Sequence, residues 1–251
     1  MKSIDINADL GEFRNRNQLK NELNILEHIS SCSIACGGHI GDFDSIQSIM
    51  MACKDLNIST GPHPSYPDRT GFGRKEININ SDKLEKSITE QIELFFKVSK
   101  KLSYKPDHVK LHGRLYNDAA KKEHLANLFL KIVSSFDNDL SVIGPTNSLL
   151  ETLTIKKGLR FIPEAFIDRA YNDDYSLVDR TKEDALLTSL DEKINQTRDI
   201  VINEEVTTIT GKRIKMKAET LCIHGDNAGT LNTLKEINDM LIQEKIIIKS
   251  S

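Results

Sequence analysis

The sequence predicts an α/β fold, a single (β/α)7-type barrel domain over residues 1–251. Three observations carry that expectation. Short apolar runs alternate with longer helical stretches along the chain. Seven of those runs read as strands, which favours a closed or nearly closed barrel. The 251 residues, 38% of them hydrophobic, suffice for one barrel core. An open doubly wound sheet is the structural alternative.

In chain order, residues 4–8 read as the first strand and 21–30 as a helix. A second strand over 32–36 leads through a Gly-rich turn into a helix over 43–56. A third strand over 57–61 precedes a Pro/Gly loop. A long helix over 81–102 follows, with Ser81 as its N-cap. Its apolar positions Leu84, Ile88, Ile92, Phe95 and Phe96 recur with a period near 3.6. Strands over 108–112, 140–144 and 160–164 are separated by helices over 119–135 and 147–157. Residues 184–205 read as helical and 207–216 as a hairpin. Residues 220–224 form the last core strand and 230–244 the closing helix.

The net charge is 34 − 37 = −3, which argues against a polyanion binder that works by bulk charge, so no nucleic-acid partner is expected. No apolar run approaches the ~18 residues of a membrane span, and residues 1–12 lack the apolar centre of a signal peptide. A cytoplasmic protein is expected, with Cys32, Cys36, Cys53 and Cys222 reduced and mostly buried. Neither GxGxxG after a strand nor GxxxxGK[ST] occurs.

The strongest signal is where polar residues fall within the strands. Side chains two apart share a strand face. Asp5, Asn7 and Asp9 therefore oppose Ile4, Ile6 and Ala8. His108, Lys110 and His112 oppose Val109 and Leu111, and Thr220, Cys222 and His224 oppose Leu221 and Ile223. The apolar faces suit contact with outer helices, so the polar faces point into the barrel. Burying Asp, Lys and His there is costly unless they are paired. Each strand also ends in ionisable residues: Asp9 with Glu12, His39 with Asp42, His63, His112, Glu164 with Asp168 and Arg169, and His224 with Asp226. Active sites of barrels form at that C-terminal rim. His28 and His124 fall on helices and read as surface or packing residues, while His108 belongs lower in the barrel. The loop 61–74 holds three prolines and three glycines, so its shape can be set locally, and Arg69 and Arg74 offer guanidinium forks to an anion.

The segments NADLGE, IACGGHIGD, GPHPSYPDRTGFGR, KLHGRLYN, PEAFIDRAY, LVDR and CIHGDN run in order from Asn7 to Asn227, and together they resemble the LamB/YcsF family. The resemblance implies a barrel of the glycoside hydrolase/deacetylase class. It implies ATP-dependent opening of the lactam of 5-oxo-L-proline to L-glutamate, with ATP, as its Mg2+ complex, consumed by a complete 5-oxoprolinase that includes subunits B and C. That agrees with the missing nucleotide motifs. Departures from the family pattern are Gly38 in Gly37-Gly38-His39, Pro62 in Gly61-Pro62-His63-Pro64, Leu111 beside His112, Ala165 and Ile167 after Glu164, and Arg114, a bulky cation where the family carries a small residue.

Lactam opening needs an electrophilic carbonyl and delivered water. Asp9 or Glu12 is the expected general base, with His112 or His224 as its acid–base partner. Lys110 and an arginine are expected to hold the substrate carboxylate or a transferred phosphoryl group. Asn7, His39, His63, Arg74, Glu164, Asp168, Arg169 and Asp226 complete the expected small-molecule binding set. A protein-bound divalent metal is a second expectation, with Asp9, His39, His63 and His112 as candidate ligands. Two other classes compete: a metal-dependent deacetylase of an N-acetylated carbohydrate and a non-catalytic binding or regulatory barrel. The ionisable rim argues against the latter. The lack of Trp and only 6% aromatic residues argue against a sugar cleft.

Overall fold

The computed structural model describes residues 2–137, 139–225 and 229–251. The elements of the N-terminal half are β1 (Ser3–Leu10), α1 (Arg16–Leu26), β2 (Ser31–Ala35), α2 (Phe43–Leu56), β3 (Ser59–His63), α3 (Ser81–Leu102), β4 (His108–Lys110), α4 (Gly113–Ala119) and α5 (Glu123–Phe136). Then come β5 (Ser141–Pro145), α6 (Leu149–Lys156), β6 (Phe161–Phe166), α7 (Leu190–Arg198), the antiparallel hairpin β7 (Glu205–Thr207) and β8 (Arg213–Lys215), β9 (Thr220–His224), α8 (Thr230–Gln243) and β10 (Ile247–Ile248).

Seven parallel strands run in the order β3-β2-β1-β9-β6-β5-β4, and short β10 adds to the start of β1. The ends of this sheet meet. Asp107 N–H donates to Thr60 O (3.0 Å) and His112 N–H donates to Pro64 O (2.9 Å), so β4 lies along β3 at the seam. Pro62 and Pro64 have no N–H to donate, which explains a seam of isolated bonds rather than a full ladder. The result is a nearly closed barrel, not the open sheet.

The alternation read from β1 holds. Ile4, Ile6, Ala8 and Leu10 face outward into a core shared with Ile46, Ile49 and Met50 of α2. Each fully buried aliphatic side chain there contributes roughly 1.5–3 kcal/mol. Asp5, Asn7 and Asp9 face inward and are also buried.

Several boundaries differ from expectation. The first helix begins five residues earlier than 21 because the Asn15 side chain caps it by accepting from Gln18 N (3.1 Å). His28 therefore lies just past α1, half-buried, whereas His124 is exposed on α5. The third strand starts at Ser59, since Asn57 takes a left-handed conformation that ends α2. Asn80, not Ser81, caps α3 through Lys83 N (2.9 Å). The helix expected over 119–135 is two helices, α4 and α5, and 184–205 contains a short 3-10 turn before α7 and a widened π-type turn after it. All four cysteines are free and buried.

Candidate active site

The barrel interior is stacked in polar layers. At the base, Asp5 accepts from the hydroxyls of Ser30 (2.6 Å), Ser31 (2.7 Å) and Thr220 (2.5 Å). His108 lies at this level, with Nε2 3.3 Å from Ser33 Oγ, and burial pushes its pKa down to about 3. One layer up, Lys110 is 1% exposed. Its Nζ reaches Glu164 Oε1 (2.7 Å), Asp9 Oδ1 (2.9 Å), Asn7 Oδ1 (3.0 Å) and Cys222 Sγ (3.2 Å). Glu164 also accepts from Asn7 Nδ2 (2.9 Å) and the Tyr116 hydroxyl (2.7 Å). Burial opposes charge on Lys110, but Asp9 and Glu164 hold its pKa well above the ordinary lysine value.

The rim layer brings Asp9, Glu12, His39, His63 and His112 together. Burial works against the Asp9 carboxylate, yet His63 and Lys110 beside it pull its pKa well below the usual range. Burial pushes the pKa of His39 and His112 well down, which disfavours a charge on either ring. These two rings stack at 3.6 Å. Gly73, at φ +63°, closes over them, since a Cβ there would meet His112 Cδ2 at 3.0 Å and His39 Cβ at 3.2 Å.

The hydrogen-bond partners assign the ring protons. His63 Nδ1 lies 2.9 Å from Lys110 O and His112 Nε2 lies 3.0 Å from Phe72 O, and a carbonyl only accepts. Ser65 Oγ donates to Tyr66 O (2.8 Å), so it accepts from His39 Nδ1 (3.0 Å). The other nitrogen of each ring then turns inward as a lone pair when the ring is neutral. Those nitrogens crowd one another and the carboxylates. His63 Nε2 is 3.0 Å from His112 Nδ1 and 3.3 Å from Asp9 Oδ2, and His39 Nε2 is 2.9 Å from Glu12 Oε1. Contacts this short between acceptors require a shared proton or a cation.

On the opposite side of Asp9, His224 Nδ1 lies 3.0 Å from both carboxylate oxygens of Asp168. Burial works against the Asp168 carboxylate, but His224 outweighs it and lowers its pKa. A cavity of about 380 Å3 opens there, bounded by Asp9, Lys110, His112 and His224. It is lined by seven cationic side chains (Arg74, Lys110, Arg114, Lys121, Arg169, Arg180, Lys182) against three carboxylates (Asp9, Asp118, Asp179), so it suits an anionic ligand. A second cavity, about 480 Å3, meets Asp9 and Glu12 from the α1 side.

Other expected residues are engaged elsewhere. Asp42 caps α2 through Ser45 N (2.9 Å). Arg69 donates to Gly37 O (3.2 Å) and Gly41 O (2.9 Å), so it braces the β2–α2 turn rather than offering a free fork. Arg169 lines the cavity but donates to Val178 O (2.7 Å) and Ala185 O (3.3 Å). Arg74 sits 4.8 Å over the Phe72 ring at the cavity wall. Asp226 lies outside the described residues.

The sequence profile of the LamB/YcsF family matches residues 4–251. The chain belongs to the LamB/YcsF family. It is 38% identical over 248 residues to the 5-oxoprolinase A subunit of Campylobacter jejuni subsp. jejuni (strain 81-176), covering 99% of this chain and 97% of the relative. It is 36% identical over 247 residues to the 5-oxoprolinase A subunit of Staphylococcus haemolyticus (strain JCSC1435), covering 98% and 99%. The crystal structure of a lactam utilization protein from Thermus thermophilus superposes with a TM-score of 0.89 at 27% identity, covering 99% of this chain and all of the other.

This LamB/YcsF barrel also has donors that fit a divalent cation. Two sets, Asp9–His63–His112 and Glu12–His39–His112, each have ligand atoms within 4.8 Å of one another. Mixed imidazole and carboxylate donors suit Zn2+ or Mn2+. The carbonyl contacts behind His63 and His112 orient their inward nitrogens as a ligand set requires. Glu12 joins this set, whereas its sequence position suggests only an acid–base role.

Other side chains around the site carry little or no sequence signal. Tyr116 is within reach of a sequence reading, because it lies in the KLHGRLYN segment. Glu22 has no such signal. It sits mid-helix, and its carboxylate accepts from Gly11 N (2.7 Å) and Glu12 N (3.0 Å), holding the turn that carries Glu12.

Proposed function

We propose that this chain is the A component of an ATP-dependent 5-oxoprolinase and opens the lactam of 5-oxo-L-proline to L-glutamate together with subunits B and C. One observation carries the reading: His112 and His224, with the Asp9 carboxylate between them, border a cation-lined cavity of about 380 Å3. The size and charge suit a small carboxylated lactam, free or phosphorylated on its amide oxygen at the expense of ATP bound to Mg2+. The names borne by the Campylobacter and Staphylococcus relatives support the same reading.

In this reading the substrate's anionic groups face Arg74 and Arg114, with Lys110 at the cavity floor and Asn7 accepting from it beneath. Water adds to the activated carbonyl carbon while neutral His112 takes its proton. Asp9, whose pKa lies far below neutrality, is a weak proton acceptor, so it stabilises the charge that develops on the rings instead. His224, oriented by Asp168, delivers a proton to the ring nitrogen as the C–N bond breaks, and the resulting γ-glutamyl phosphate is cleaved by a second water to L-glutamate and inorganic phosphate. His39, His63 and Glu12 back this centre, and Glu164 keeps Lys110 in place.

The decisive assay reconstitutes the chain with subunits B and C and follows ATP- and 5-oxoproline-dependent glutamate release. Release must depend on this chain, and His112→Ala must abolish it in a folded protein. Full activity without the chain, or with that variant, refutes the proposal.

A second reading, a metal-dependent hydrolase, is favoured by the crowded inward nitrogens. Asp9, His63 and His112, with Glu12 and His39 beside them, would hold the ion. A bound cation would polarise a carbonyl and acidify water. Stoichiometric Zn2+ or Mn2+ by elemental analysis, lost in His63→Ala, would support it, and a metal-free active enzyme would exclude it.

A further inference from the structure

We propose that Gln91 is a positioning residue that, through Ser65, dictates which nitrogen of His39 carries the ring proton. Gln91 lies on α3, outside the barrel, and is buried. Its carboxamide pairs with both backbone groups of Ser65: Oε1 accepts from Ser65 N (2.9 Å), and Nε2 donates to Ser65 O (3.0 Å). The second amide hydrogen reaches Ser87 Oγ (3.2 Å), so the group cannot flip without losing partners.

This clamp sets the Ser65 backbone and with it the hydroxyl. The hydroxyl proton is committed to Tyr66 O, which leaves an oxygen lone pair for His39 Nδ1–H. The competing preference is strong. Glu12 Oε1 lies 2.9 Å from His39 Nε2, and a carboxylate there would draw the ring proton to Nε2. Ser65 holds a proton on Nδ1 against that pull. The Glu12–His39 contact therefore depends on a proton or cation of its own.

Gly38 leaves room for the clamp. A Cβ at this position would collide with Gln91 Oε1 and Ser65 Oγ. The residue that departs from the family pattern next to His39 is thus the one whose missing side chain admits Gln91.

The effect on catalysis rests on the proposed ring-opening function, but the effect on the His39 proton does not. Nitrogen-15 NMR of the ring signals in the full chain at neutral pH, assigned with His39→Gln, reads the proton directly. In the wild type His39 Nδ1 carries a proton. In Gln91→Ala and Ser65→Ala that Nδ1 proton is lost and Nε2 becomes the protonated nitrogen. Gln91→Glu, which keeps the acceptor for Ser65 N–H, restores part of the wild-type pattern. In the reconstituted enzyme kcat falls about 10–100-fold in both alanine variants with KM nearly unchanged. Loss of thermal stability in Gln91→Ala with an unchanged His39 pattern overturns the proposal. Should Gln91→Ala not fold, an unchanged pattern in Ser65→Ala overturns it equally. A moved ring proton in a protein without lactam-opening activity keeps the clamp and rejects the proposed function.

Discussion

Asp5 and Asp9 lie four residues apart on the same face of β1, and both are buried inside the barrel. Their electrostatics are opposite. Asp5 is surrounded by the hydroxyls of Ser30, Ser31 and Thr220, and burial raises its pKa despite them. Asp9 meets Lys110 and His63, and its pKa falls well below the carboxylate range. Neutral donors satisfy a carboxyl group without compensating the desolvation of its charge, whereas a buried cation does both. The base of the barrel is thus a structural layer and the mouth a charged one, built from the same residue type.

The hardest way to break this contrast is to remove its cation. Lys110→Met leaves Asp9 and Glu164 facing each other in the interior, and unfolding in denaturant should show a loss of about 3–5 kcal/mol. Next in size is the pair Asp9→Asn and Asp5→Asn. Steady-state turnover of the reconstituted enzyme should drop about 10²–10³-fold for the first. For the second, turnover should stay within about twofold, with stability changed by about 1 kcal/mol.

Glu22 sharpens the comparison as a carboxyl beside the mouth whose hydrogen bonds come from backbone N–H groups. Burial raises its pKa to about 7 from an ordinary 4.5. Between those values the folded chain binds a proton that the unfolded chain has released, so this group makes stability fall as pH rises through the window. Urea midpoints between pH 4.5 and 7 should show a flatter decline for Glu22→Gln than for the wild type. The smallest effect belongs to Arg114→Ala. Arg114 is partly exposed on the cavity wall and donates through Nε to Asp118 (3.0 Å). Its removal should raise KM for the anionic substrate about three- to tenfold and leave kcat unchanged.

Much of the barrel was legible because its signals are local. The two-residue alternation in β1 and β9 and the 3.6-residue period in α3 each report one face of one element. The rim histidines were legible too, since His63, His112 and His224 end or follow inward-facing strand positions. Misreadings came where one residue type serves two purposes. Asp42 follows a strand as a ligand would, yet it caps a helix, and Arg69 sits in a loop that resembles an anion cradle, yet it ties two carbonyls. A linear pattern does not distinguish a cap from a ligand, because both need a short polar side chain at an element boundary. Glu22 and Gln91 were invisible because each looks like an ordinary polar helix position until the opposite surface is known.

The sequence by itself determined the alternation of strands and helices, the inward polar face and the family, because these depend on side chains close in the chain or on whole ordered segments. Protonation was decided only by tertiary structure. Whether Asp9 is a stable anion, and which nitrogen of His39 holds a proton, is set by Lys110 at 101 residues' separation and Ser65 at 26. Coulomb forces and hydrogen bonds act across space, and their strength depends on the water that the folded barrel excludes.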